Sequence, residues 1–112
     1  MKGLDKLKGV DQKLIDLVTE LDKNLDNGYE LTISEGLRTM ERQKQLFKEK
    51  KTKTLNSKHL IGKAVDVYPI KDRKIDWDYF PKLINIAKKI NNVDFTYGYD
   101  FGWDSPHIEL KK

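Results

Sequence analysis

The fold and the chemistry of this chain both depend on one stretch of sequence: Ser57-Lys58-His59-Leu60-Ile61-Gly62-Lys63-Ala64-Val65-Asp66-Val67. It contains one of the two histidines of the chain, followed after seven residues by an aspartate in an otherwise apolar run. The second histidine lies in the stretch Trp103-Asp104-Ser105-Pro106-His107-Ile108-Glu109-Leu110. Catalytic zinc sites use three protein ligands and keep a position open for water, so two histidines and one aspartate form a candidate ligand set.

His59 and Asp66 can bind one ion only if the backbone turns back between them. The intervening residues span about 23 Å on a strand and about 10 Å on a helix. Zinc–ligand bonds are only about 2 Å long, so neither regular geometry works. Gly62 permits the required turn, because glycine adopts backbone conformations that other residues avoid.

The run Ala64–Tyr68 predicts a strand that Pro69 is expected to end. Val65 and Val67 then point to one face of the strand, and Asp66 points to the other. A carboxylate among apolar residues is costly to bury without a partner. A metal ion would be such a partner.

From the elements that the sequence predicts, we expect an α+β fold, with a small antiparallel sheet flanked by about three helices. The helices are predicted at Asp11–Asp26, Met40–Lys50 and Trp77–Ile90. The strands are predicted at Tyr29–Ser34, Ala64–Tyr68 and His107–Leu110, with a further strand near Thr96. We expect Asp11 and Thr39 to cap the first two helices, and a charged turn at Lys71–Lys74.

Composition limits the class of protein. The chain has 112 residues, which is typical of one domain, so residues 1–112 are expected to form it alone. Cysteine is absent, which excludes disulfides and thiolate metal ligands. The first residues contain no apolar core of a signal peptide, and no apolar run is long enough to predict a membrane span.

The net charge of +4 indicates either a solvated lysine-rich surface or an anionic partner. The densest run of lysines falls in residues 44–53, and no aromatic residues alternate with them in the pattern of a nucleic-acid groove. We therefore expect no nucleic-acid partner.

The chain resembles the M15 zinc peptidases in two ordered motifs, Ser57-x-His59-x-x-Gly62-x-Ala64-x-Asp66 and Asp104-x-Pro106-His107-x-Glu109. The resemblance covers residues 30–110 and is strongest to the phage endolysin branch. It implies a fold like that of the D-alanyl-D-alanine peptidases and the hedgehog domains. It also implies that His59, Asp66 and His107 bind Zn²⁺ and that the substrate is a peptidoglycan stem peptide.

The resemblance also implies roles for residues near the metal. Asp104 would be the general base, although Glu109 shares a strand face with His107 and is the alternative from the residues alone. Arg38 would stabilise an oxyanion or bind a substrate carboxylate, because its guanidinium offers a fixed fork of donors. Its alternative is a surface salt bridge. Gln43, Ser57 and Trp103 are further candidates for substrate binding.

One departure from the family concerns the stretch before Asp104. The family has a Gly-Gly-Asp-Trp element where this chain has Gly98-Tyr99-Asp100-Phe101, so the rim of the cleft is expected to differ. The preferred function is an L-alanyl-D-glutamate endopeptidase. The alternatives are a D-alanyl-D-alanine carboxypeptidase or dipeptidase, and a zinc-containing binding module without turnover.

The resemblance to endolysins further implies a bacteriolytic enzyme that is made in the cytoplasm and acts on the cell wall after release. We expect a monomer without a separate wall-binding domain.

Overall fold

The computed structural model describes residues 1–112 and consists of three α-helices and a five-stranded antiparallel sheet. The helices are α1 (Gln12–Lys23), α2 (Met40–Lys48) and α3 (Phe80–Ile90). The strands are β1 (Tyr29–Glu35), β2 (Ala64–Lys71), β3 (Lys74–Ile75), β4 (Phe95–Tyr97) and β5 (His107–Leu110). Four strands lie in the order β1-β2-β5-β4, and β3 pairs with the end of β2. The predicted α+β class is confirmed.

Both predicted N-caps are present. The side chain of Asp11 accepts a hydrogen bond from the Lys13 amide at 2.9 Å, and that of Thr39 accepts one from the Arg42 amide at 3.1 Å. Helix α1 ends before its predicted limit at Asp26. Beyond the helix, the Asp26 carboxylate accepts a hydrogen bond from the hydroxyl of Tyr79 at 2.8 Å.

Strand β2 runs past Tyr68, so the expectation that Pro69 ends it is wrong. Pro69 pairs with Leu31 of β1. Alternate residues of a strand turn their amides to the same side, and the Val67 amide points to the Pro106 carbonyl, at the start of β5. The proline nitrogen therefore faces the gap between β5 and β3, where no donor is needed.

The charged turn predicted at Lys71–Lys74 is a β-hairpin. Asp72 and Arg73 have φ values of 51° and 67°, which are left-handed at both central positions, as a two-residue hairpin turn requires. Neither residue is glycine, so the sequence carried no clear sign of the short strand β3.

The sheet has a core face and an open face. Helices α1 and α3 cover the core face, where the buried side chains include Leu14, Leu17, Val18, Leu21, Leu31, Ile33, Val65, Val67, Phe80, Leu83, Ile84, Ala87 and Ile108. Asp66 and Tyr68 alternate with the core valines and point to the opposite face. None of the helices has the length and apolar character needed to cross a membrane.

Truncating the core should destabilise the fold. Leu83 is fully buried, so Leu83→Ala is expected to lower the free energy of unfolding by about 2–5 kcal/mol, because it removes packing and leaves a cavity. Urea unfolding followed by circular dichroism measures this loss. Val93 is 77% exposed, so Val93→Ala should change stability by less than about 0.5 kcal/mol. Equal effects of the two substitutions would contradict this assignment of the core.

Candidate metal centre

The three predicted ligands come from segments that the sheet brings together. Asp66 on β2 and His107 on β5 are direct cross-strand partners, and both lie on the open face. His59 lies in a 3-10 turn at Lys58–Ile61, which leads into β2. The pairing of β2 with β5 therefore joins two ligands, and the turn adds the third.

The turn between His59 and Asp66 depends on Gly62. Its φ of +70° is in the left-handed region, where a side chain would be strained. A Cβ at this position would also lie 2.2 Å from the carbonyl oxygen of Gly9. The two backbone segments are also joined by a hydrogen bond, which the Gly62 carbonyl accepts from the Asp11 amide at 2.8 Å. The predicted role of this glycine is confirmed.

The ligand atoms have the spacing of a metal site. Asp66 Oδ1 lies 3.3 Å from His59 Nε2 and 3.2 Å from His107 Nδ1, and the three atoms lie within 4.8 Å of one another. Two ligands bound tetrahedrally to zinc at about 2.0–2.2 Å are roughly 3.3–3.5 Å apart. The cluster could therefore hold a metal ion after only small adjustments.

Each imidazole is oriented by a second partner. His59 Nδ1 lies 2.8 Å from the carbonyl oxygen of Gly36, which can only accept, so Nδ1 carries the hydrogen. His59 Nε2 is left with a lone pair; it is buried and makes no hydrogen bond, although Asp66 Oδ1 lies nearby. His107 Nε2 lies 2.8 Å from Glu109 Oε1, which leaves Nδ1 to face Asp66. Electron-rich atoms this close need a cation or proton between them, so the site fits a metal.

The close packing of these groups also shifts the pKa values of His107 and Asp66. Burial lowers the pKa of His107, but hydrogen bonds to Asp66 and Glu109 raise it to about 9. Burial raises the pKa of Asp66, but hydrogen bonding to His107 and the adjoining His59 ring hold it well below its usual range. Metal ligands must be deprotonated, so a cation that binds here would compete with the proton that the raised pKa favours on His107.

Arg38 lies beside the cluster and is held on two sides. Its Nε donates to Glu35 Oε1 at 2.7 Å, and its Nη1 donates to Gln43 Oε1 at 2.8 Å. The Arg38 amide also donates to the His59 carbonyl at 2.8 Å. The alternative for Arg38 is a surface salt bridge; the arginine does pair with Glu35, but its side chain is only 8% exposed. It is therefore a buried part of the site wall.

Gln43 lies behind Arg38 and is fully buried. Its Nε2 donates to the carbonyl oxygen of Thr54 at 2.6 Å, which ties the loop before Ser57 to helix α2. Ser57 itself accepts a hydrogen bond from the His59 amide at 3.2 Å and caps the turn. The contacts of both residues are with the protein, and their predicted substrate contacts stay predictions.

The two candidate bases have different surroundings. Burial raises the pKa of Asp104, and the positive charges of His107 and Arg38 only partly oppose this effect. Glu109 is engaged on both oxygens, by His107 Nε2 at 2.8 Å and by Lys58 Nζ at 3.2 Å. Glu109 therefore acts as an orienting partner of His107 in this arrangement, whereas Asp104 is the freer carboxylate.

The loop that carries Asp104 packs closely against the cluster. A Cβ on Gly98 would lie 2.2 Å from the Asp104 carbonyl oxygen and 2.9 Å from the Cβ of His107, so only glycine fits there. Further along the loop, Trp103 is 76% exposed and stacks on Phe101 with ring centroids 6.4 Å apart. Trp103 is thus accessible from solvent, and its predicted contact with substrate stays a prediction.

Other residues surround the cluster. Tyr68 shares the open face with Asp66, as alternation along the strand predicts, and packs edge-on against Trp77 with ring centroids 5.6 Å apart. No sequence signal pointed to the Gly36 carbonyl or to the ion pair of Lys58, because both contacts join distant segments.

Comparison with known proteins identifies related peptidases. A family model described as phage L-alanyl-D-glutamate peptidase matches residues 1–108. The chain belongs to this family. An L-alanyl-D-glutamate peptidase of Listeria phage A118 is 30% identical over an alignment of 113 positions, which covers 97% of this chain. The same match covers 38% of the phage protein, so this chain spans well under half the length of that relative.

Solved structures of peptidases share the fold. The L-Ala D-Glu endopeptidase ChiX of Serratia marcescens has a TM-score of 0.84 at 24% identity, over 99% of this chain and 90% of its own. VanYB in complex with D-alanine-D-alanine has a TM-score of 0.66 at 16% identity, over 92% and 72%. A variant of the vancomycin resistance D,D-pentapeptidase VanY in complex with Zn(II) has a TM-score of 0.64 at 16% identity, over 92% and 73%. The expected likeness in fold to the D-alanyl-D-alanine peptidases is confirmed.

The cluster should bind one zinc ion per chain. His59→Ala removes a ligand, so it is expected to abolish tight binding in isothermal titration calorimetry with zinc. The control is Asp100→Asn, which removes an exposed acid outside the cluster and should bind like the unaltered protein. Undiminished binding by His59→Ala would show that the ion is held elsewhere.

Proposed function

We propose that this chain is a zinc-dependent peptidase that cleaves peptidoglycan stem peptides between L-alanine and D-glutamate. One observation carries the proposal: both imidazoles are held by second partners so that their free nitrogens face Asp66, in a chain of the phage L-alanyl-D-glutamate peptidase family. The activity named for the Listeria phage relative supports the choice of bond. The Zn(II) complex of the VanY variant supports the choice of metal.

The donor set also supports zinc. His59, His107 and Asp66 offer two imidazole nitrogens and one carboxylate oxygen, which is a typical set for a catalytic zinc site. When bound, zinc polarises the scissile carbonyl and makes water a stronger nucleophile at neutral pH. The remaining chemistry belongs to residues of the chain itself.

We assign Asp104 as the general base. Its carboxylate would accept a proton from the attacking water and then deliver that proton to the leaving amine of D-glutamate. The raised pKa of Asp104 supports this role, because a base works best when its pKa approaches the working pH. Glu109 is the weaker candidate, since both its oxygens already have partners.

We assign Arg38 to the carbonyl oxygen or a carboxylate of the substrate. Its guanidinium has five N–H donors, and the bonds to Glu35 and Gln43 use two of them. The fixed position reduces the reorganisation needed when negative charge develops. Gln43 and Ser57 would serve mainly by holding Arg38 and His59, and exposed Trp103 would contact the substrate at the rim.

The monomeric state stays a prediction. The phage source of the Listeria relative supports synthesis in the cytoplasm and later release to the wall.

Digestion of purified peptidoglycan tests the proposal directly. The zinc-loaded protein should release fragments with new D-glutamyl amino groups, leaving L-alanine as the new carboxyl end. A chelator should stop the release, and added zinc should restore it. Mass spectrometry of the products identifies the cleaved bond.

Other outcomes would select the other functions. Release of D-alanine would indicate a D-alanyl-D-alanine carboxypeptidase. Tight zinc binding without any cleavage would contradict an enzyme and indicate a binding module.

Removing the proposed base should separate catalysis from metal binding. Asp104→Asn keeps the size of the side chain but cannot accept the proton, so we expect peptidoglycan cleavage to fall by about 10²–10⁴-fold. Zinc affinity should be retained. Asp100→Asn, on the same loop, is the matched control and should keep activity. Loss of zinc from Asp104→Asn would instead make this residue a ligand, and full activity would assign the base elsewhere.

A further inference from the structure

A chain of polar contacts leads from the protein surface to the metal cluster. Lys58 Nζ lies 3.2 Å from Glu109 Oε2, and Glu109 Oε1 lies 2.8 Å from His107 Nε2. On the other side of the ring, His107 Nδ1 faces Asp66 Oδ1 at 3.2 Å. The lysine thus lies three contacts away from the carboxylate of the cluster.

We propose that Lys58 is a positioning residue of the metal site, which holds Glu109 so that His107 presents Nδ1 to the metal. The inference rests on the proposed function, because it assumes that His107 is a metal ligand. Lys58 itself would touch neither the metal nor the substrate.

The charges explain how the effect is transmitted. An ionised carboxylate has only acceptors, so Glu109 fixes the ring hydrogen of His107 on Nε2. The ammonium of Lys58 holds the second oxygen of that carboxylate and limits its rotation. The side chains of Lys58 and Glu109 are 32% and 26% exposed, so water competes with their ion pair less than at an open surface.

The position of Lys58 links two ligand segments. It directly precedes His59 in the 3-10 turn, so one turn supplies a ligand and also orients a second one on β5. The lysine ammonium also donates to the carbonyl oxygen of Leu110, at the end of β5. This second bond stabilises the end of β5. The experiment must therefore separate fastening, which means stabilising β5 through Leu110, from positioning, which means holding Glu109.

Zinc affinity, measured by competition with a chromophoric chelator, provides the first readout. Loss of a partner that orients a metal-binding histidine typically weakens metal binding by about 10–100-fold. Lys58 acts one contact further away, so Lys58→Met is expected to weaken binding by about tenfold, at the low end of that range. Lys58→Arg keeps the charge and should restore most of the affinity.

Lys82→Met is the matched control. Lys82 forms an ion pair of 2.8 Å with Asp26, which is outside the cluster. This substitution removes a lysine of the same kind, and zinc affinity should not change. A loss equal to that of Lys58→Met would indicate a general effect of charge and would overturn the proposal.

A double-mutant cycle separates positioning from fastening. If Lys58 acts through Glu109, Lys58→Met should have no further effect on zinc affinity in a Glu109→Gln background. Long-range ¹H–¹⁵N correlations of the zinc-loaded protein supply a spectroscopic readout. They should place the His107 hydrogen on Nε2 in the unaltered protein and show a changed Nε2 signal in Lys58→Met.

The possible outcomes are distinct. Suppose that the unaltered protein binds zinc and that Lys58→Met changes neither the zinc affinity nor the His107 signals. This result would overturn the role of Lys58 and leave the proposed metal site standing. Additive losses of zinc affinity in the double mutant would show that Lys58 acts by stabilising β5, independently of Glu109. That result would also overturn the proposed positioning role. Failure of the unaltered protein to bind zinc would overturn the proposed metal site and this inference together.

Discussion

The antiparallel pairing of β2 with β5 is the constraint on which the candidate site depends. It places Asp66 directly opposite His107, so a carboxylate and an imidazole share one face at the distance of adjacent side chains. A slip of one residue in either strand would turn its ligand toward the core. The apolar neighbours Val65 and Ile108, paired in the same register, make such a slip costly because it would expose them. The hydrophobic core therefore determines the geometry of the metal cluster.

The two faces of the sheet differ in what covers them. Helices α1 and α3 cover one face and bury its apolar side chains, and no helix of the same kind covers the strand face with Asp66 and His107. Helix α2 contributes little to the core, since its buried side chains are Gln43 and Leu46. It serves instead as the wall that supports Arg38.

The buried polar side chains all belong to the candidate site. They are Arg38, Gln43 and His59, and burial of such groups is favourable only when their donors and acceptors are paired. The donors and acceptors named above for Arg38 and Gln43 are paired within the protein. The Nε2 atom of His59 has no hydrogen-bond partner, and it faces the other two predicted ligands. Outside this layer, partners such as Gly36, Glu35 and Glu109 keep the functional groups fixed. This supporting layer would reduce the reorganisation that metal binding or catalysis requires.

Much of the architecture could be predicted from local sequence patterns. The pattern of apolar and polar residues located the three helices and four of the five strands, and Asp11 and Thr39 signalled helix starts. The short hairpin strand β3 and the passage of β2 through Pro69 were missed. Both depend on neighbouring strands: the hairpin lacks a glycine signal, and the proline is tolerated because no strand pairs with its nitrogen.

The sequence by itself determined which residue types could form the cluster and that Gly62 must allow a turn between two of them. Alternation along β2 determined that Asp66 points away from the core. Only the tertiary structure decided the register that sets Asp66 beside His107 and the partners that orient each imidazole. The physical reason is that local periodicity selects the face of a side chain, whereas its neighbours across the sheet depend on how distant segments pack.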